Sequence, residues 1–437
     1  MAIASRTGDV DVIVVGAGAA GLGAAAELRA LGRRCVVLEA SARVGGRAWT
    51  DTPPALNGAP FDHGASWLHN AERNPLVDIA RAHGDDVRSA DGQRERRVYV
   101  GGRIATAAEL AAYADAFDRF EQLARDRARA EPDLAFRDAI APLAGDPWIG
   151  TIETWEATLI AAADPRDFSL RDWHENELNG GNMTVDGGLG AFIERRLAPM
   201  AGTVQLNTPA TRVTWRDGVR VETPHGTVRG RSAIVTVSAG ALAAGAIRFD
   251  PLLPSTIQEA LHALPMGLLT KVALPATSAD RLGLPDRLGL PGRLGLPDRA
   301  SLQRQVPRGE PAMFFHAWPS GRGYIIGFIG GPAAWDLARA GPAAAEELAR
   351  AELRRYLGAG ADRALGPAVV TRWGTDPLHR GAYTYARPGC FGARAALGQP
   401  LGDGRLIFAG EATRIDGLAG TVGGAWLAGR DAARTVA

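Results

Sequence analysis

Lysine is almost missing from this chain: of its 49 basic residues, Lys271 in the stretch LLTKVAL is the one lysine, and the other 48 are arginine. Drift towards arginine codons accounts for a general shortage but not for the exception, so Lys271 either survives by chance or has a reason of its own. Cysteine is scarce too. Cys35 and Cys390 stand apart from each other and from any histidine or cysteine cluster, which excludes a disulfide framework and gives no metal-ligand spacing, so no metal is expected. Net charge is nearly absent, at +1 over 437 residues, where a polyanion-binding protein would carry a strong basic excess; nucleic acid is not an expected partner. The N-terminal MAIASRTGDVDVIVV is neither a signal peptide nor long enough to span a bilayer, so a soluble, cytoplasmic protein with no membrane partner is expected.

What is present points to a large core. The chain is 46% hydrophobic and too long for one core, so two connected domains are expected. VDVIVVGAGAAGLGAAAELRALGRRCVVLEA reads as strand, glycine turn, helix and strand, a βαβ unit. Residues 105–130 and 342–360 carry apolar positions at helical spacing, and 204–237 alternates in short runs joined by Asp-Gly and His-Gly turns, as in an antiparallel meander. A six-residue unit, RLGLPD, recurs from Arg281; its prolines and glycines suit a low-complexity surface insertion over 281–299.

In GAGAAG, Gly16, Gly18 and Gly21, with Ala19 and Ala20 between them, follow a strand and open a helix, so that backbone amides can meet a pyrophosphate. Glu39 and Ala40 end the second strand, where the carboxylate can accept from ribose hydroxyls and would repel the extra phosphate of NADP. Glycine needed only for tight packing is the competing account, and it leaves the terminal acid unexplained.

Beyond the acid, EASARVGGRAWT places Gly45, Gly46 and Arg47, and here the chain resembles the flavin-dependent amine oxidases. The likeness continues in FDHGASWLHNAERNPL, with Gly64, Ala65, Ser66 and Trp67; in LNTPATRV, with Val213; and in NMTVDGGLGAFIERRLA. The C-terminal RLIFAGEATRIDGLAGTVGGAWLAGRDAA adds Gly410, Glu411, Gly420, Thr421 and Val422. TRWGTDPLHRGAYTYARPG, with Trp373, is most similar to the polyamine oxidase and lysine-specific histone demethylase branch. The resemblance implies that these residues bind FAD. It implies an α/β chain in which a Rossmann-like FAD-binding domain of the GR2 type (1–85, 186–250 and 370–437) interleaves with an α+β substrate-binding domain (86–185 and 251–369).

The resemblance also implies roles. Lys271 is to hold a water against the flavin N5, which suits lysine because its pKa falls on burial whereas arginine stays protonated. Tyr383 is to flank the substrate, Thr421 occupies the opposing position where monoamine oxidases have an aromatic ring, and His69 is to stand near the amine. Trp67, Asp164 and Tyr385 complete the expected pocket, although the competing reading of Asp164 is a cap before Pro165 and that of His69 a packing residue. Ala382 fills the slot of the flavin-linking cysteine, so noncovalent FAD is implied. The implied activity is oxidation of a polyamine or other amine to an imine, with O2 reduced to H2O2; a homodimer stays open. An L-amino-acid oxidase or flavin desaturase of the same fold, which would need a buried pocket arginine, and a non-catalytic flavoprotein scaffold are the alternatives.

Overall fold

The computed structural model describes residues 10–92, 94–129, 132–275 and 299–436. The RLGLPD repeat lies outside them, apart from Arg299. The expected βαβ unit forms as the strand Val10–Val15, the helix Ala19–Ala30 and the strand Cys35–Leu38. It sits in an eight-stranded sheet in which the long strand Gly226–Val235 plays two parts. Its first half pairs antiparallel with Val219–Thr223, and its second half lies parallel between Val10–Val15 and Leu406–Phe408. One strand thus joins the expected meander to the βαβ unit.

Alternation along Val10–Val15 serves both faces of this sheet. Val12 and Val14 pack with Leu22, Leu28 and Trp426 on one side, while Ile13 and Val15 meet Val213, Leu242 and Phe408 on the other. The first face is covered by the first helix and by the last, Val422–Val436, which cross closely. An added Cβ at Gly429 would stand 1.8 Å from the Ala20 carbonyl oxygen, and one at Gly23 would stand 2.5 Å from that of Trp426. Glycine at both positions lets the first and last helices cross backbone to backbone.

A second, seven-stranded sheet runs in the order Val369–Val370, Leu269–Pro275, Tyr324–Gly330, Phe314–Ala317, Ala300–Arg304, Glu95–Val100, Arg103–Ile104. The helix Pro342–Leu357 covers one face through Leu353. The other face carries Ala273, Phe314 and Phe328 against Phe61 and Trp67, and Lys271 shares the side of Ala273 because residues two apart on a strand point the same way. The helix expected over 105–130 forms as Ala107–Ala128, opened by a capping box between Thr106 and Glu109. No helix among the described residues is long and apolar enough to cross a membrane.

The helix crossing gives a test of stability. Replacing Gly429 with alanine is expected to lower the unfolding free energy by about 1–3 kcal/mol, the scale of overpacking in a filled site. Gly145→Ala, where an added Cβ meets nothing within 4 Å, should change it by no more than about 0.5 kcal/mol in the same denaturant melts.

Candidate active site

The two sheets and the crossing helices enclose a cavity of about 420 Å³ that runs from the glycine turn to Lys271 and on past Tyr383. At one end it is lined by Gly16, Gly18, Ala19 and Ala20. Gly18 is the N-cap of the first helix and supplies no side-chain cap, so the helix amides there face the cavity free to bind an anion. Gly18 bridges to Gly45, which lays the second glycine segment along the same wall. Glu39 is buried and accepts from the amides of Ala17 (2.7 Å) and Ser41 (2.8 Å), which fixes its carboxylate beside the turn. An uncapped helix end followed by a fixed acid fits the pyrophosphate and ribose of FAD.

The middle of the wall joins distant parts of the chain. Arg47 donates to Glu411 (2.8 Å) and to the Ala382 carbonyl (2.9 Å), and Glu411 accepts from the Thr384 hydroxyl (2.7 Å). Thr384 in turn accepts from Arg394, whose guanidinium forms a buried fork on Asp172 at 2.7 and 2.8 Å. Thr421 opens the last helix: its hydroxyl accepts from the Gly424 amide and donates to the Leu418 carbonyl, so it is spent on capping. An added Cβ at Gly64 would lie 1.7 Å from the Arg47 carbonyl oxygen, and this close approach leaves the Gly64 carbonyl turned to Lys271.

Lys271 is buried, 3% exposed, with its backbone clipped to Thr371. Its Nζ donates to the carbonyls of Asp62 (2.9 Å) and Gly64 (2.5 Å) and to the Ser66 hydroxyl (2.7 Å), beneath the rings of Trp67 and Phe328. No carboxylate lies within ion-pair distance among the described residues; that of Asp62 accepts from Thr50 and the Leu189 amide instead. Burial therefore dominates and lowers the Lys271 pKa to about 8, with the Asp62 charge opposing it.

Tyr383 stands beside Gly420 and donates to the Leu159 carbonyl (3.1 Å). His69 is half-buried, and desolvation lowers its pKa below the usual histidine value, against the Asn182 hydrogen bond and the Asp91 charge. Its Nδ1 lies 2.6 Å from the Asn182 side-chain oxygen. The Asn182 amide nitrogen is committed to Asp91 (3.0 Å), so Oδ1 faces the ring and Nδ1 carries the hydrogen, leaving His69 Nε2 as an acceptor.

All the residues singled out from sequence line the cavity except Gly21, Val213 and Asp164. Gly21 packs inside the turn, where a Cβ would meet the Gly16 carbonyl oxygen at 1.9 Å, and Val213 is buried in the sheet. Asp164 is held by the Arg166 side chain and backbone amide in a turn, with no helix beginning at Pro165 for it to cap. Sequence reading missed Glu156, Asp172, Glu177 and Arg394. Glu156 sits on a wide-turned helical segment, Thr154–Ile160, of the kind that often marks a site. Trp173 Nε1 donates to one of its oxygens (2.9 Å), and among the described residues nothing donates to the other. Burial, reinforced by the charges of Glu177 and Glu121 and opposed by the Trp173 hydrogen bond and Arg125, raises its pKa to about 7.

Comparison with known proteins agrees with this geometry. The chain is 29% identical to lysine-specific histone demethylase 1 homolog 1 of Oryza sativa subsp. japonica over 97% of its own length and 52% of that protein's. It is 28% identical to polyamine oxidase 2 of Arabidopsis thaliana, covering 98% and 88%. It thus spans about half of the demethylase homologue and most of the polyamine oxidase. Its fold matches wild-type putrescine oxidase bound to putrescine (TM-score 0.79, 22% identity, 98% of each chain) and cyclohexylamine oxidase of Brevibacterium oxydans IH-35A (TM-score 0.77, 23% identity, 98% and 99%). The profile described as flavin containing amine oxidoreductase matches residues 19–437, and the chain belongs to that family.

Proposed function

We propose that the protein oxidises the C–N bond of an amine carrying a second positive charge, such as a di- or polyamine, to an imine that water opens to an aldehyde or ketone, with O2 reduced to H2O2. The cofactor is FAD, held noncovalently: Ala382 stands before Tyr383, and neither cysteine lines the cavity. When bound, FAD accepts the hydride equivalent of the amine α-carbon and passes the electrons on to O2. The chain binds, orients and manages protons. Tyr383 supplies a fixed aromatic wall, His69 Nε2 is placed to take the proton that an ammonium must lose before oxidation, and Lys271 is the working amine beside the reacting atoms. We assign cofactor binding to 1–85, 186–250 and 370–437.

The observation that carries the substrate reading is the cavity's charge inventory. Its two arginines are both committed, Arg47 to Glu411 and Arg394 to Asp172, so neither is free to grip a substrate carboxylate. This counts against an amino-acid oxidase. On the acidic side, Glu177 is paired with Arg125 (2.6 Å), whereas Glu156 keeps an open oxygen. A cation is what that oxygen lacks.

A peroxide-coupled screen of freshly purified, yellow protein is expected to give turnover with di- or polyamines and none with amino acids; turnover on amino acids alone would defeat the reading. Glu156 is neutral below its pKa and ionised above it. The KM for a diamine should therefore fall as pH rises through about 7, and Glu156→Gln should remove that dependence and raise KM by about tenfold, one charge-assisted hydrogen bond. A monoamine of matched length serves as the insensitive control. Lys271→Met should slow flavin turnover on the order of 10²-fold, the scale of a lost proton-handling group, with the FAD absorption spectrum retained. Wild-type stopped-flow rates in that variant would remove Lys271 from the mechanism.

A further inference from the structure

One of the three contacts of Lys271 differs in kind from the other two. The carbonyls of Asp62 and Gly64 accept hydrogen bonds and have no proton to give, whereas the Ser66 hydroxyl, 2.7 Å from Nζ, can do both. While Lys271 is an ammonium, its three protons are taken by these three oxygens and none is left for the cavity. The hydrogen of Ser66 is then the one that can face outward. Its only protein acceptor among the described residues, the Gly64 carbonyl, is 3.5 Å away and already receives a proton from Lys271. Ser66 lines the cavity. When Lys271 is neutral, its two hydrogens suffice for the two carbonyls and its lone pair faces Ser66, so the hydroxyl can turn round and donate to it.

We propose that Ser66 is the proton relay between Lys271 and the cavity. The hydroxyl gives its hydrogen to a base in the cavity, a water or an amine, as it takes one from Lys271. One O–H bond breaks while another forms, the N–H bond of Lys271 becomes an N–H or O–H bond of the base, and the positive charge moves with the proton. The groups around the pair do not offer a competing route. The carboxylate of Asp62 is engaged with Thr50 and the Leu189 amide, and Trp67 and Phe328 present ring faces. Burial lowers the pKa of His63, although its Asp51 partner opposes this, and lowers that of His316 further with the Arg94 charge; the Lys271 charge adds to both.

The inference takes over the reading of Lys271 given above, but its test needs no turnover. Because the chain contains one lysine, FAD-loaded protein grown on lysine carrying ¹³C at Cε gives one lysine resonance, and its titration is that of Lys271. Ser66→Ala removes one acceptor from the ammonium and is expected to lower the midpoint by about one pH unit or more. Ser66→Thr, which keeps the hydroxyl, should hold it within a few tenths. The pH profile of flavin reoxidation should move with the midpoint in the alanine variant and stay in the threonine variant. Where the alanine variant loses FAD, Ser66→Cys, a weak hydrogen-bonding group of similar size, carries the same expectation. A midpoint unmoved in the alanine or cysteine variant, or displaced as far by threonine as by alanine, overturns the relay. A displaced midpoint in a protein that oxidises no amine would sink the functional reading and leave the relay standing.

Discussion

A primary ammonium held dry, with only neutral oxygens to receive its protons, is the constraint around which this molecule is arranged. Placing a charge on a central strand is unfavourable unless every donor finds a partner, and the partners cannot come from the strand itself, whose own amide and carbonyl are taken up by Thr371. They come instead from residues 62–66, a segment more than two hundred positions earlier. That segment must lie flat against the first sheet's cofactor wall to present two carbonyls and a hydroxyl at once. Gly64 makes this approach possible, and Trp373 pins the same stretch by donating to the His63 carbonyl (2.8 Å). The acceptors are neutral, so the cation stays weakly held, which is why its pKa drops where an ion pair would have raised it.

The second constraint is that the first and last helices, Ala19–Ala30 and Val422–Val436, meet at the cavity. The first helix brings the uncapped amides, and the last brings Thr421 and, through the turn before it, Glu411. Their crossing at Gly23 and Gly429 sets the spacing between these two groups. The ion chain from Arg47 through Glu411, Thr384 and Arg394 to Asp172 then ties this clamp to the helix Leu170–Glu175, close to the substrate end. Removing one member of such a buried chain leaves the others uncompensated, so its contribution lies in holding one geometry more than in net stability.

The parts of this arrangement that could be read from sequence are those whose signal is local. The glycine turn, the acid at the end of Cys35–Leu38, the Asp-Gly and His-Gly turns of the meander and the two amphipathic helices each declare themselves within a few residues. Lys271 was legible for a different reason: in a chain of arginines, the exception stands out. The pairs that shape the cavity have no such signal. Arg394 and Asp172 are 222 residues apart, and nothing near either one says that they meet. Glu156 lies in the unremarked string TWEATLI, and its importance comes from what surrounds it in space. Asp164 shows the converse: its sequence position suggested the pocket, yet Arg166, two residues on, holds it in a turn.

On the proposed function, charge pairing in the cavity also accounts for how one site could receive a cation and still oxidise it. An amine enters protonated at neutral pH, and a proton must leave before the C–N bond can be oxidised. A cavity lined with free carboxylates would hold the ammonium in its unreactive form, while free arginines would keep it out. On that reading the arginines are neutralised by Glu411 and Asp172, the nitrogen to be oxidised would meet the His69 imidazole and aromatic faces, and Glu156, which forms no ion pair among the described residues, lies on a separate helical segment. The carboxylate can then hold the charge of a distant nitrogen without stabilising the charge on the reacting one. On the function proposed above, separating attraction from reaction along one cavity favours a substrate with two nitrogens that can span it.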